Sequence, residues 1–232
     1  MQGHYQHAER VLTSLNVTMP PNQPTIQQQA ISRLTLPPGL ATNEAARWHR
    51  DGQVFQHIAW IAAIIEGEGN VATLMPHLRP ADKGFDSLLI PLSNERDAIS
   101  GLFICEEKAT ENPRSQIRDH VWPSILSIEA GERDAELNGH VMSILREHQV
   151  RNIDQVAADI HWLGRKAYRV SITISKAENS ENARRSLFTD FELKAPGNIE
   201  RRRAETVVLP DLRNWMDAFC ARVIRMIEIG SI

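Results

Sequence analysis

Residues 102–108 read Leu-Phe-Ile-Cys-Glu-Glu-Lys, an apolar run that ends in three ionisable side chains. Side chains of a β-strand alternate between its two faces. On a strand, Glu106 and Lys108 therefore share one face and Glu107 takes the other. Ionised groups resist burial unless they are paired or hold a cation. An apolar strand that ends this way must set its last residues at a solvent-facing rim, against a partner, or around a ligand. A second apolar run lies upstream in Lys-Gly-Phe-Asp-Ser-Leu-Leu-Ile, residues 83–90, with Asp86 near its start. In a hairpin, the start of one strand lies beside the end of the next. That pairing would make neighbours of Asp86, Glu106 and Lys108.

The surrounding pattern supplies a scaffold for such a hairpin. Thr42 or Asn43 can cap a helix that runs to Glu66. Phe55, Ala59, Ala62 and Glu66 recur at helical spacing, which places Glu66 at the end of an apolar stripe before Gly67. Strands are predicted at 71–75, 85–92 and 99–108. Helical patterns follow, with Ile117, Val121, Ile125 and Ile128 in one stretch that Pro123 should kink or divide. Leu137, Val141, Ile144 and Leu145 mark a second helix, and Ile153, Val156 and Ile160 a third. Residues 168–175 alternate and are rich in β-branched side chains, a strand pattern. A polar loop over 176–183, a strand over 187–193 and an amphipathic closing helix over 210–229 complete the reading. The order predicts an α/β or α+β domain over 43–232 with one central mixed sheet flanked by helices. Residues 1–42, with Pro20-Pro21, Gln27-Gln28-Gln29 and Pro37-Pro38-Gly39, read as an N-terminal arm. A short helix over 5–15 is expected within it.

Composition narrows the function classes. The 232 residues are 42% hydrophobic and carry a formal net charge of −3. No global electrostatic attraction to nucleic acid follows from that charge, so contact would rest on local patches or on a partner. No apolar run approaches the roughly 18 residues of a membrane span, and the N-terminus lacks the order of a signal peptide. A cytoplasmic protein with no membrane association is expected, its two cysteines, Cys105 and Cys220, reduced in the core. The histidines form no zinc pattern, and neither a phosphate-binding loop nor a dinucleotide fingerprint is present.

Two carboxylates beside a lysine suit a hard cation such as Mg²⁺, which takes oxygen ligands and often only one or two carboxylates. The order helix Glu66, strand Asp86, strand Glu106-x-Lys108, then helix, resembles the PD-(D/E)xK superfamily of restriction-endonuclease-like nucleases. The resemblance covers about residues 43–130, although no proline precedes Asp86. It implies a restriction-endonuclease-like α/β core and a Mg²⁺-dependent deoxyribonuclease, with Mn²⁺ as a substitute. Asp86 and Glu106 would hold the metal with the backbone carbonyl of Glu107, Glu66 would be a further acidic ligand, and Lys108 the catalytic lysine. Gln116, on the helix after the lysine, falls where some members carry a glutamine, but with His120 in place of the usual aromatic partner. The nuclease subunits of restriction and antiphage systems, including that of the Hachiman system with its helicase, are the relatives this implies. A helicase or ATPase partner is accordingly expected. Arg114 and Arg118, one helical turn apart, together with Arg201, Arg202 and Arg203, are candidate contacts to DNA phosphates. Arg184, Arg185 and Lys194 lie near the last cluster in sequence, and a solvated loop balanced by Glu200 and Glu205 is its bland alternative. Against the deoxyribonuclease stand an inactive interaction module with the same fold, and a nuclease that cleaves RNA.

Overall fold

The computed structural model describes residues 26–36, 44–67, 70–76, 84–162 and 166–229. The chain divides into two compact units, residues 1–51 with 213–232, and residues 52–212. The helix expected over 5–15 lies outside the described residues, as does most of the N-terminal arm. Within the arm, a helix not foreseen from the sequence, α1, spans Ile26–Leu34.

In the first unit, the closing helix α9 (Leu212–Glu228) buries Met216, Cys220 and Ile227. Those positions are spaced by four and seven residues, the spacing of one helical face. Trp215 is exposed and stacks on Phe219 with ring centroids 5.1 Å apart. The first turns of helix α2 (Glu44–Glu66) carry Arg47, Arg50 and the fully buried Asp51. Asp51 accepts from Arg50 Nη2 at 2.7 Å and from Arg213 Nη1 at 2.5 Å. Asp217 accepts from Arg47 at 2.6 Å and from Arg50 at 2.5 Å. A carboxylate out of water needs such partners to stay ionised.

The second unit is an α/β layer structure. Its sheet has the order β1-β2-β3-β4-β5, with β1 Val71–Thr73, β2 Ser87–Pro91, β3 Leu102–Lys108, β4 Lys166–Ile174 and β5 Arg202–Val208. The first three strands are antiparallel neighbours, whereas β3, β4 and β5 are parallel. Parallel strands need a long crossover, and the chain between β3 and β4 makes it with four helical segments. These are α3 (Pro113–Gln116) continued by a π-turn over Ile117–Val121, α4 (Trp122–Glu129), α5 (Asp134–Glu147) and α6 (Ile153–Trp162). Pro123 has no N–H to give the carbonyl four residues back. The helix widens to π spacing just before it, which is how the expected division appears.

One sheet face carries the main core. Leu88, Ile90, Leu102, Ile104, Val170 and Ile172 pack there with Ile117, Val121, Trp122 and Ile125. The opposite face holds a smaller cluster of Leu89, Cys105 and Ala63, the last from α2. The buried stripe of α2 in this unit is Phe55, Ala59 and Ala63, so Ala62 and Glu66 of the expected stripe turn outward. Cys105 and Cys220 are free and buried, as expected.

Two sequence expectations are corrected between β4 and α9. Residues 187–193 are not a strand. They join helix α7 (Glu181–Leu187) to α8 (Phe191–Lys194) through a left-handed Asp190. Leu187, Phe191 and Ala195 are buried at intervals of four, a helical period that outweighs the local β propensity. Of the loop read into 201–203, Arg201 ends a 3₁₀ turn, whereas Arg202 and Arg203 open β5. Its alternation is hidden because Arg203 and Glu205 face ion-pair partners rather than an apolar layer. No helix among the described residues is long and apolar enough to cross a membrane.

Candidate functional site

The antiparallel register pairs Ser87 with Cys105 and Leu88 with Ile104. Extended by one residue, it sets Asp86 opposite Glu106. Phe85 anchors this corner: it is buried, its ring meets the His140 ring edge-on at 5.9 Å, and the Arg133 guanidinium lies 3.9 Å from its centroid. With Phe85 fixed, Asp86 is carried to the end of β3.

There the Lys108 ammonium donates to Asp86 Oδ2 at 2.6 Å and to Glu106 Oε2 at 2.8 Å. The hairpin inferred from the sequence thus brings these three side chains together. All three are mostly shielded, with side-chain exposures of 20%, 17% and 12% for Lys108, Asp86 and Glu106. They keep enough access for a ligand to reach them. Burial opposes the charge on Lys108. The fields of Glu106 and then Asp86, with hydrogen bonds to both, outweigh burial and hold its pKa above the usual range.

Two residues that the sequence reading passed over complete the arrangement. Gln56, on α2, donates through Nε2 to Asp86 Oδ1 at 2.8 Å. Ser124, on α4, donates through Oγ to Glu106 Oε1 at 2.6 Å. The Glu107 backbone N–H donates to Asp86 Oδ2 at 2.9 Å. Each carboxylate is therefore oriented by a neutral donor from a different helix. A polar side chain inside an otherwise apolar helical pattern was the signal available for both.

Glu107 takes the other face, as strand alternation requires. It is 2% exposed, and Ser87 Oγ donates to its Oε1 at 2.8 Å. Its Oε2 is buried with no hydrogen-bond partner among the described residues. Burial, and next the charge of Asp86, push this carboxyl up to about 8.

Glu66 does not join the group. Its carboxylate pairs with Arg203, and its side chain is 57% exposed. It follows Gln56 by ten residues, about 15 Å along the same helix. The residue that α2 delivers to Asp86 is Gln56, so the reading of Glu66 as a ligand is corrected. The arginine cluster is likewise committed internally. Arg201 donates to Glu129 and to the Lys166 carbonyl, Arg202 to the Ala195 and Gly197 carbonyls, and Arg203 to Glu66 and Glu205. Arg114 donates to the Leu187 carbonyl at 2.9 Å. Arg118 is exposed and bound to its neighbour Asp119, whose carboxyl it holds down at about 2. Gln116 sits half-buried at the end of α3.

No protein family, curated protein or solved structure matches this chain. The chemistry of the site must speak for itself. Among the described residues, no three His, Cys, Asp or Glu side chains converge as a closed metal cage. Two hard carboxylates at a partly open rim fit a cation of the Mg²⁺ kind, which keeps waters and takes substrate oxygens. They do not fit a structural zinc site, which would close with four protein ligands.

Proposed function

We propose that this protein is a metal-dependent nuclease that hydrolyses DNA phosphodiester bonds at Asp86, Glu106 and Lys108. The observation that carries the reading is the placement of the Lys108 ammonium within 2.8 Å of both carboxylates at the end of β3. The mixed sheet with its helices is compatible with the restriction-endonuclease-like core that the motif resembles. Asp86 and Glu106 would hold Mg²⁺ or Mn²⁺, joined by the Glu107 carbonyl. When bound, the ion supplies charge stabilisation at the phosphate and lowers the pKa of water. Lys108, kept as an ammonium, cannot serve as a base near neutral pH. Its part is to donate hydrogen bonds to the attacking water or the phosphate oxygens and to offset developing negative charge. Gln56 and Ser124 act through the carboxylates as positioning residues. A net charge of −3 supports work beside a DNA-holding partner such as a helicase, in a restriction or antiphage setting.

One observation favours a second reading, the inactive interaction module. Every side-chain oxygen of Asp86 and Glu106 already has a donor within the chain. A self-satisfied triad is also what a purely structural network looks like. Incubation of wild type, Lys108→Ala and Asp86→Asn with supercoiled plasmid, single-stranded DNA and RNA in Mg²⁺ or Mn²⁺ separates the two. Cleavage by wild type, lost in both variants and in chelator, is the expected result. Equal nicking by all three proteins would remove the assigned roles, and cleavage confined to RNA would change the substrate.

A further inference from the structure

The parallel registers carry the site's alignment across the sheet. Glu106 pairs with Val170 and Val170 with Ala204, while Lys108 pairs with Ile172 and Ile172 with Thr206. Residues paired in this way point to the same face, so Ala204 and Thr206 stand on the face of Glu106 and Lys108. They lie two strands away, about 10 Å at the usual strand spacing. Their small side chains floor an open groove of about 500 Å³, walled by Glu181, Arg184, Arg185 and Phe188.

Val170 and Ile172, between the two on this face, are fully buried, and the triad is linked to the groove through the elements that follow β3. After β3, Thr110 is clamped to β4 by two 2.8 Å hydrogen bonds with the Thr173 hydroxyl. Helix α3 follows, and its Arg114 grips the end of α7 at the Leu187 carbonyl. Helix α7 then presents Arg184 and Arg185, both exposed. The Arg184 guanidinium has no partner among the described residues. Arg185 meets Glu181 at 2.8 Å, with both side chains more than 70% exposed. Such a pair contributes little and exchanges readily for another anion. In parallel sheets, ligands gather at the carboxyl ends of the strands; Lys108 ends β3, and Thr206 stands two residues before the end of β5.

We propose that the groove binds the phosphodiester backbone of a nucleic-acid strand on one side of the cleaved bond, with Arg184 and Arg185 as its phosphate contacts. The inference rests on the nuclease reading above. The arginines carry position rather than sequence, because phosphate contacts hold register without reading bases.

The test is fluorescence anisotropy of labelled duplex DNA, single-stranded DNA and RNA with the full chain, in chelator and across a salt series. Wild type is compared with Arg184→Ala/Arg185→Ala and with Arg146→Ala, an exposed arginine of α5 that does not line the groove. Loss of two phosphate contacts should lower the slope of log K against log salt by about 1.8 for duplex or about 1.4 for a single strand. Arg146→Ala should leave the slope unchanged. The three arms show which nucleic acid supplies the backbone. Unchanged affinity and slope in the double variant would overturn the proposal and leave the nuclease reading intact if plasmid is still cleaved. A lowered slope without any cleavage by wild type would support the groove and count against the nuclease. No binding by wild type at low salt, or equal binding of a polyglutamate peptide lost in the same variant, would overturn it.

Discussion

Replacing Glu107 with glutamine should change how stability depends on pH more than it changes stability itself. The carboxyl is 2% exposed, accepts one hydrogen bond from Ser87, and leaves Oε2 buried without a partner. Burial and Asp86 raise it from an ordinary 4.5 to about 8. Between those values the unfolded chain has lost this proton and the folded chain keeps it. The folded state then binds one proton more, so stability falls as pH rises, by about 1.4 kcal/mol per unit. The whole window is worth about 5 kcal/mol. Glutamine still accepts from Ser87 but sets an unpartnered NH₂ where Oε2 stood, a cost of about 1–3 kcal/mol that does not depend on pH. The variant is expected to be the less stable protein at pH 5 and the more stable one at pH 8. The two profiles should cross between about pH 5 and 7, where the growing loss equals the fixed cost. Urea unfolding at half-unit steps from pH 5 to 8 measures both profiles, and titrations of groups remote from Glu107 cancel in their difference. Parallel profiles would refute the reasoning, because they would mean that Glu107 ionises in the folded state as it does in the unfolded one.

Other substitutions probe the neighbouring links. Lys108→Ala leaves two shielded carboxylates facing each other, so unfolding stability in chelator should drop by about 3–5 kcal/mol. Because lysine and a cation compete for the same oxygens, Mg²⁺ should raise the melting temperature of this variant more than that of wild type, as differential scanning fluorimetry would show. Gln56→Leu and Ser124→Ala should each weaken Mg²⁺ or Mn²⁺ binding by about 10–100-fold in isothermal titration calorimetry, and unaltered affinity would make both residues structural only. Asp51→Ala strands Arg50 and Arg213 without their buried carboxylate, and chemical denaturation should show a loss of about 3–5 kcal/mol.

The site was more legible than the frame around it. Strand alternation alone separated Glu106 and Lys108 from Glu107, because a period of two admits no other arrangement once 102–108 is a strand. Asp86 could be placed because a hairpin fixes which ends meet. Glu66 misled because the helical stripe was drawn through Ala62, whereas Ala63 is the buried position, and a shift of one residue rotates a helix by about 100°. Gln56 and Ser124 were passed over for a different reason. A neutral side chain that orients a carboxylate has no motif of its own, and its role appears only when distant elements meet. Strand β5 was hidden by its charges, since Arg203 and Glu205 read as solvated until Glu66 and Arg169 are seen across from them.

The π-turn before Pro123 sets the phase of the helix after it. Five residues, Ile117–Val121, make this wider turn, and the helix resumes at Trp122 with both Trp122 and Ile125 buried and Ser124 aimed at Glu106. A wide turn of this kind takes up one residue more than an α-turn. The same sequence wound without it would carry every residue of α4 about 100° further round the helix axis. Trp122 and Ser124 would turn together, so the indole would leave the core as the hydroxyl left the carboxylate. What holds the hydroxyl of Ser124 on Glu106 is the way one turn earlier in the helix closes.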